Sequence, residues 1–345
     1  MKGIVRIILT CVLALGISIA KAQDHQYSQF FNSPVYLNPA LNGQFEGDLR
    51  MNMIYRNQWT SLGNGPKYFS ASIDYNVPQF GGGIGLLFTR GTEGPAYLNK
   101  NNLSGIYSYS VGSSDYVLSF GIQAGVTNRS IDYNNLVFSD QIDNRLGFDP
   151  SRVSAAEMPV FNNKFYFDTG AGINLVAGNL MIGGAVQHLN KPNESFTGAS
   201  ALLPRRITGH LSYMWDLNKW ENIDDGDKSY FIPSVVYYKQ YNLNSVSAGI
   251  QYKRRSVNAG VYYRSGGEAG RPSAIVFSLI FDIFSNRDTG EKLRFGLSHD
   301  APSSKLSYGN TSGTTEGSFS YETPLNNRFG EYHRFEGARR CYEFY

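Results

Sequence analysis

The side chains able to do chemistry are few and scattered. The five histidines are His25, His188, His210, His299 and His333. No two of them stand at the His-x-x-x-His or Glu-x-x-His spacing that brings zinc ligands onto one helix face. No Gly-x-Ser-x-Gly elbow and no phosphate-binding Gly-Lys-Ser/Thr loop occurs. His188 or His210 beside a serine from a neighbouring segment would be the pair for general-base chemistry, but a lone histidine in a strand is more often a plain lining residue. Asp140, Asp143, Asn144 and Asp149 offer oxygen ligands for calcium without EF-hand spacing, and a solvated loop explains them more simply. The pattern calls for no cofactor, no metal and no catalysis.

The elements that would position these residues begin after a leader. Residues 1–6 are short and basic, residues 7–20 are apolar, and Ala20-Lys21-Ala22 places small residues where a signal peptidase reads. The run is shorter than the roughly 20 residues of a membrane-spanning helix. Residues 1–22 are therefore expected to be a signal peptide, with Gln23 as the new N-terminus. Cys11 leaves with it, so Cys341 remains alone and no intramolecular disulfide can form. An unpaired exported thiol is able to pair with another chain.

Composition narrows the class. Aromatic residues are 14% of the chain, with 24 Tyr and 22 Phe beside 37 Gly, and charged residues are 17% against about 25% in an average protein. Mean hydropathy is slightly negative, and no apolar run of membrane-helix length follows the leader. A barrel strand shows lipid only one face, which keeps mean hydropathy low. The formal charge of +3 is too small and dispersed for a nucleic-acid partner.

Periodicity agrees. Tyr116, Leu118, Phe120, Ile122, Ala124 and Val126 alternate with Val117, Ser119, Gly121, Gln123, Gly125 and Thr127, the period-2 pattern of a strand with one apolar face. The same alternation runs from Phe165 to Leu175, from Arg206 to Leu217 and from Ser245 to Lys253. Strands are predicted at 48–59, 67–77, 82–90, 100–111, 115–129, 164–177, 179–189, 205–217, 229–240, 244–254, 256–264, 273–283, 292–300 and 315–323. Fourteen is an even number, as a single-chain bacterial barrel needs. Tight turns fall at Gln79-Phe80-Gly81, Gly112-Ser113-Ser114 and Ala177-Gly178-Asn179. Longer links at 91–99, 130–163, 190–204, 218–228, 265–272 and 301–314 alternate with them down most of the chain. A soluble sandwich would use shorter strands, and a propeller would show a blade repeat. The expected fold is an all-β, transmembrane antiparallel up-and-down β-barrel over 48–323. An N-terminal arm (23–47) precedes it and a short C-terminal tail (324–345) follows.

The opening Gln26-Tyr27-Ser28-Gln29-Phe30-Phe31-Asn32-Ser33-Pro34-Val35-Tyr36-Leu37-Asn38-Pro39-Ala40 resembles that of the PorP/SprF family of Bacteroidetes outer-membrane proteins. The likeness continues through Tyr55-Arg56-Asn57-Gln58-Trp59, Gly81-Gly82-Gly83-Ile84-Gly85, Phe138-Ser139-Asp140-Gln141-Ile142-Asp143, Leu293-Arg294-Phe295-Gly296-Leu297-Ser298-His299-Asp300 and Gly317-Ser318-Phe319-Ser320-Tyr321. The resemblance implies an integral outer-membrane component of the type IX secretion system, active in protein export and, in gliding species, in display of surface adhesins. It implies as partners secreted cargo bearing a C-terminal sorting domain, or periplasmic ring and motor proteins. The end of the chain departs from the family, reading Cys341-Tyr342-Glu343-Phe344-Tyr345 where members carry a Cys-Pro-Arg-Phe flavour.

Pro34 and Pro39 bias their preceding residues toward extended forms, so the arm is expected to be extended and non-helical. Its apolar side chains require cover, either in the lumen or across the mouth as a plug, or at the rim as a cap. Tyr27, Ser28, Gln29, Phe30, Tyr36, Asn38 and Pro39 in the arm, with Arg339, Arg340 and Cys341 in the tail, are the candidate binding residues. The tail is either a basic, aromatic docking segment or a free end. Two functions remain: a secretion-system component that docks protein partners, and a passive porin or solute channel. The faces opposite the apolar ones read as mostly Gly, Ser, Asn and Gln, which favours a packed interior.

Overall fold

The computed structural model of the chain describes residues 24–45, 47–77, 81–94, 96–143, 145–156, 161–221, 227–267, 272–286, 291–303, 308–325 and 341–344. Residues 1–22, where a signal peptide is expected, and Gln23, Gln79, Phe80, Asn144, His333, Arg339 and Arg340 lie outside the described residues. Alternation of apolar and small polar residues forces the chain into strands, and every strand pairs antiparallel with its chain neighbour. They are β1 (Leu49–Gln58), β2 (Lys67–Val77), β3 (Gly82–Glu93), β4 (Leu98–Gly112), β5 (Tyr116–Ser130), β6 (Asn163–Ala177) and β7 (Leu180–Gln187). The second half holds β8 (Arg206–Tyr213, continued by Trp215–Asp216), β9 (Ser229–Gln240), β10 (Leu243–Arg254), β11 (Val257–Gly267), β12 (Pro272–Asn286), β13 (Glu291–Pro302) and β14 (Thr314–Thr323). β1 pairs with β14 from Leu49↔Thr323 to Gln58↔Thr314, which closes the barrel. Closure leaves no sheet edge in lipid, where an unpaired backbone group costs several kcal/mol.

The two faces of each strand differ as the pattern demands. Outward residues such as Leu103, Ile122, Phe165, Phe167 and Leu297 are exposed and apolar, facing lipid. Inward residues are buried, and β1 shows the phase: Arg50, Asn52, Ile54 and Arg56 point in, while Met51, Met53 and Tyr55 point out. No helix among the described residues is long and apolar enough to cross a membrane.

Because the strand number is even, β1 begins and β14 ends at one end of the barrel, here termed the terminal end; the other is the loop end. Link lengths depart from simple alternation in two places. The 217–228 link follows β8 and so lies at the terminal end, among the tight turns, while β9 and β10 join at the loop end through Tyr241-Asn242 alone. Spacing between strands gave the lengths of these links, whereas the side on which each falls depends on counting every strand before it. The longest link, 131–162, stands at the loop end and carries a two-residue hairpin pairing Ile142 with Phe148 and Asp143 with Gly147.

The lipid-facing phase has a direct test. Ile122, near the middle of β5, is 61% exposed on the outer face. Ile122→Arg is expected to destabilise the barrel by about 2–4 kcal/mol, the usual cost of a cation at the bilayer midplane. Urea unfolding in lipid vesicles measures it, and an unchanged midpoint would mean that this face does not meet lipid.

Candidate functional site

The lumen is the site, and the segment before β1 fills it. Residues 24–45 enter beside the loop-end residues Lys100, His188 and Gln240. They pass mid-barrel positions on β5, β6 and β8, and reach Asp74 and Ser110 near the terminal end before joining β1. The arm is not free of helix: Phe30–Asn32 and Pro39–Leu41 are single 3-10 turns and Pro34–Leu37 a single α-turn. Each proline begins a turn, where a missing N–H costs nothing. The residues before them, Ser33 (φ −130°) and Asn38 (φ −155°), stay outside the helical region, as a following proline requires. The steric rule thus holds at the two bends, and the residues between them coil.

Apolar side chains of the arm meet two inner walls. Phe30, Phe31, Leu37 and Leu41 pack with Val176, Met181, Ile232, Val236 and Val276 on one side. Tyr27, Val35 and Tyr36 pack with Ile54, Tyr68, Leu87 and Ile106 on the other. Glycines make room where the backbones nearly touch. A Cβ on Gly121 would fall 2.2 Å from the Pro39 carbonyl carbon, and one on Gly172 would fall 2.0 Å from Asn38 Oδ1.

Three polar clamps hold the arm along its length. At Ser28, two cations and two carboxylates converge. The amides of Ser28 and Gln29 donate to the Glu316 carboxylate at 2.8–2.9 Å. The Ser28 hydroxyl donates to Asp300 (2.8 Å) and accepts from Arg56 (3.0 Å) and Arg264 (2.9 Å), which uses its full hydrogen-bonding capacity. Arg56 also pairs with Glu316 and Asp300, and Arg264 with Asp300 at 2.5 Å. Nearer the terminal end, Arg50 grips Asp74 through Nε and Nη2 (3.0 and 2.7 Å). Asp74 in turn accepts from the Gly43 amide at 2.9 Å, and Arg50 donates to the Leu41 carbonyl at 3.2 Å.

The third clamp is at the loop end. Asp24 pairs with Lys100 (2.7 Å) and His188 (2.6 Å) and exchanges hydrogen bonds with the Gln240 side chain. The other ring nitrogen of His188 meets Asp168 at 2.7 Å. Ionised carboxylates only accept, so these two contacts favour the imidazolium, with both ring nitrogens donating. Burial pushes its pKa down, but the Asp24 and Asp168 carboxylates outweigh that and raise it. Burial likewise pushes the Asp24 carboxyl up, yet Lys100 and His188 hold it well below the ordinary range.

Residues 341–344 pack beneath the arm at the terminal end. Cys341–Phe344 form a 3-10 turn whose Cys341 and Phe344 are buried in the same cluster as Leu41, Met214 and Ile232. The Cys341 thiol donates to the Gln44 carbonyl at 3.6 Å, Lys253 donates to the Glu343 carbonyl at 3.0 Å, and the Lys292 ammonium lies 5.9 Å from the Tyr342 ring centroid.

Of the residues singled out in the sequence, Tyr27, Ser28, Gln29, Phe30, Tyr36, Asn38, Pro39 and Cys341 all converge inside the barrel and are buried. Cys341 is 2% exposed and so does not present its thiol at the surface. Asn38 accepts from the Ala40 amide and donates to the Ile173 carbonyl, with its amide 3.2 Å from His210 Nε2. In the loop, Asp140 accepts from Ser154 and Ala155, Asp143 from the Arg145 and Leu146 amides, and Asp149 from Ser151. These carboxylates turn onto their own loop. Sequence reading missed the wall side of the first two clamps: Arg50, Arg56, Asp74, Arg264, Asp300 and Glu316. Their signal was phase, since each sits on the small-polar face of its strand, which was read as nearly uncharged.

A model of the family described as type IX secretion system membrane protein PorP/SprF matches residues 19–321. No significant match is found among curated proteins. Solved structures similar in fold include the CymD monoaromatic hydrocarbon channel, 14% identical with a TM-score of 0.45, covering 86% of this chain and 93% of that one. Another is Omp33 of Acinetobacter baumannii, 6% identical with a TM-score of 0.41, covering 82% and 100%. The closed barrel, its apolar outer belt and a match to a membrane-protein family make the chain an integral outer-membrane protein.

Two outcomes follow from the clamps. Glu316→Gln leaves Arg56 and Arg264 sharing the single charge of Asp300, and breaking such a buried set costs about 3–5 kcal/mol. Urea unfolding in detergent should show that loss together with new protease cleavage within residues 24–45. The His188 contribution is complete below its ordinary pKa of 6.5 and drains away as pH rises through the raised folded value. Proteolysis near residue 24 should therefore increase with pH in the wild type and be pH-independent in His188→Gln.

Proposed function

Because the chain belongs to the PorP/SprF family of type IX secretion system membrane proteins, we propose that it serves that system as a plugged docking barrel, neither a solute pore nor an enzyme. The observation that carries this reading is the filled lumen: the arm occupies it from the loop end to the terminal end, with Cys341–Phe344 beneath. A barrel so filled offers partners its rims. Short turns face the periplasm in outer-membrane barrels, which puts the loop end outside. There the long link exposes Leu146 at 88% and Val153 at 95%, apolar side chains suited to a protein partner. Secreted cargo bearing a C-terminal sorting domain, including an adhesin displayed for gliding, is the partner for this end. At the periplasmic end the long 217–228 link exposes Trp220 at 93% toward secretion-ring proteins. The arm residues Tyr27 to Pro39 act in this scheme by holding the plug, and the wall clamps by holding the arm.

Affinity purification of the detergent-solubilised barrel from its own outer membranes, with mass spectrometry, should recover a secreted protein with a C-terminal sorting domain or periplasmic ring proteins. In planar bilayers the full chain should conduct no steady current, while deletion of residues 24–44 should open it. A barrel that purifies alone and conducts with its arm intact is a solute channel, and the docking function is then wrong.

A further inference from the structure

Three arginines of the lumen invite comparison. Arg50 presents Nε and Nη2 to the two oxygens of Asp74 (3.0 and 2.7 Å), and Arg294 presents the same two nitrogens to Asp282 (2.6 and 2.9 Å). This is the side-on fork by which guanidinium grips a carboxylate with two parallel hydrogen bonds. Arg206, on β8, has the same fork empty. Its Nη1 donates to the Tyr36 hydroxyl at 2.6 Å, while Nε and Nη2 have no hydrogen-bond partner. The residue is only 3% exposed, and its guanidinium is stacked between the Tyr36 and Tyr238 rings at 4.6 and 5.0 Å from their centroids. The rings fix the plane of the fork. A buried donor left unpaired costs about 1–3 kcal/mol, and more when it is charged, so two on one cation mark a place prepared for an acceptor.

Open space lies beside this residue. A half-enclosed cavity of about 90 Å³ lies at the loop end between the arm and the wall, and Arg206 lines it with Lys100, His188, Asp24, Asp168 and Gln123. One water needs roughly 10–15 Å³ by this measure, so the cavity has room for a ligand of several heavy atoms. Charge around it balances in number, four cations to four carboxylates, but not in place. Arg129 is matched by Glu194 at 3.3 Å, whereas Lys100, His188 and Arg206 together face only Asp24 and Asp168. Glu93, the remaining lining carboxylate, accepts from the Tyr68 hydroxyl at 2.8 Å and is separated from Arg206 by the stacked rings of Tyr68, His25 and Tyr36. Arg206 is thus a lining cation with no carboxylate against it among the described residues.

We propose that this loop-end cavity is a binding site for a carboxylate, seated two-oxygen to two-nitrogen on Arg206 Nε and Nη2. It rests on the arm filling the lumen and is independent of which protein the barrel docks. The ligand bears a single carboxylate on a small or extended body, either a free organic acid or the C-terminal residue of a peptide. Gln123 Oε1 and Asp168 Oδ1, both buried and without a donor, line the same cavity and would accept an amide N–H of the second kind.

Titration calorimetry on the full chain in detergent tests it with sodium acetate, N-acetylglycine and inorganic phosphate, each against sodium chloride at equal ionic strength and pH 7. Acetate or N-acetylglycine should bind saturably. N-acetylglycine binding at least about tenfold tighter assigns the site to peptide C-termini, and equal binding assigns it to free acids. Arg206→Lys keeps the charge and loses the fork, and it should weaken binding at least about tenfold while the barrel still shows heat-modifiable gel mobility. Arg206→Gln provides the same reading should the lysine variant fail to fold. Carboxylates that bind no better than chloride, binding of phosphate alone, or undiminished affinity in a folded Arg206 variant would each overturn the proposal.

Discussion

The Glu316 carboxylate has no exposed surface, and every group that neutralises it comes from elsewhere in the chain. Arg56 supplies the cation from across the β1–β14 seam, and the Ser28 and Gln29 amides supply hydrogen bonds from a segment nearly 290 residues away in sequence. A carboxylate taken out of water is unstable by several kcal/mol unless it is both paired and hydrogen-bonded. Without the arm the wall keeps the pair and a long contact from the Ser298 hydroxyl (3.5 Å) but loses the amide hydrogen bonds. The wall is therefore built for an occupied lumen, and the arm's position is set at Ser28 before any apolar contact is counted.

The apolar contacts answer a second need. β6, β7, β9 and β12 point Val176, Met181, Ile232, Val236 and Val276 inward, where a water-filled pore would carry polar groups. Such residues are stable only under cover, at roughly 25 cal/mol for each Å² of apolar surface removed from water. Phe30, Phe31, Leu37 and Leu41 provide that cover from the arm and Phe344 provides it from the tail. The protein has the usual barrel exterior, apolar toward lipid, and in addition a packed core that most of a porin's interior lacks. The arm and residues 341–344 both contribute to that core, so the barrel and its contents share one packed interior.

Glycine and proline fit the arm to this space. Gly121 and Gly172 let the wall approach Pro39 and Asn38 to within a distance that any side chain would block. The two prolines break the arm into short turns, with Ser33 and Asn38 outside the helical region between them. A continuous helix would leave Asn38 unable to reach both the Ile173 carbonyl and its own Ala40 amide. The arm's course thus comes from steric restriction at two residues and from polar anchors at three levels of the barrel.

Strand number, strand phase and closure were determined by the sequence alone, because a period of two is a local property that each segment declares by itself. The predicted stretches 67–77, 164–177 and 229–240 coincide with β2, β6 and β9 to within a residue. The arm's need for cover was also legible, from Phe30, Phe31, Tyr36 and Leu37 standing in the segment ahead of the first strand. Only the tertiary structure decided what covered them. Opposite charges on Arg56, Asp300 and Glu316, or on Asp24, Lys100 and His188, lie far apart in sequence, and no local pattern says which strand faces which across a closed lumen. Coulomb attraction and desolvation act through space, so the partners of a buried charge are fixed by the register of the whole barrel and not by the residues on either side of it.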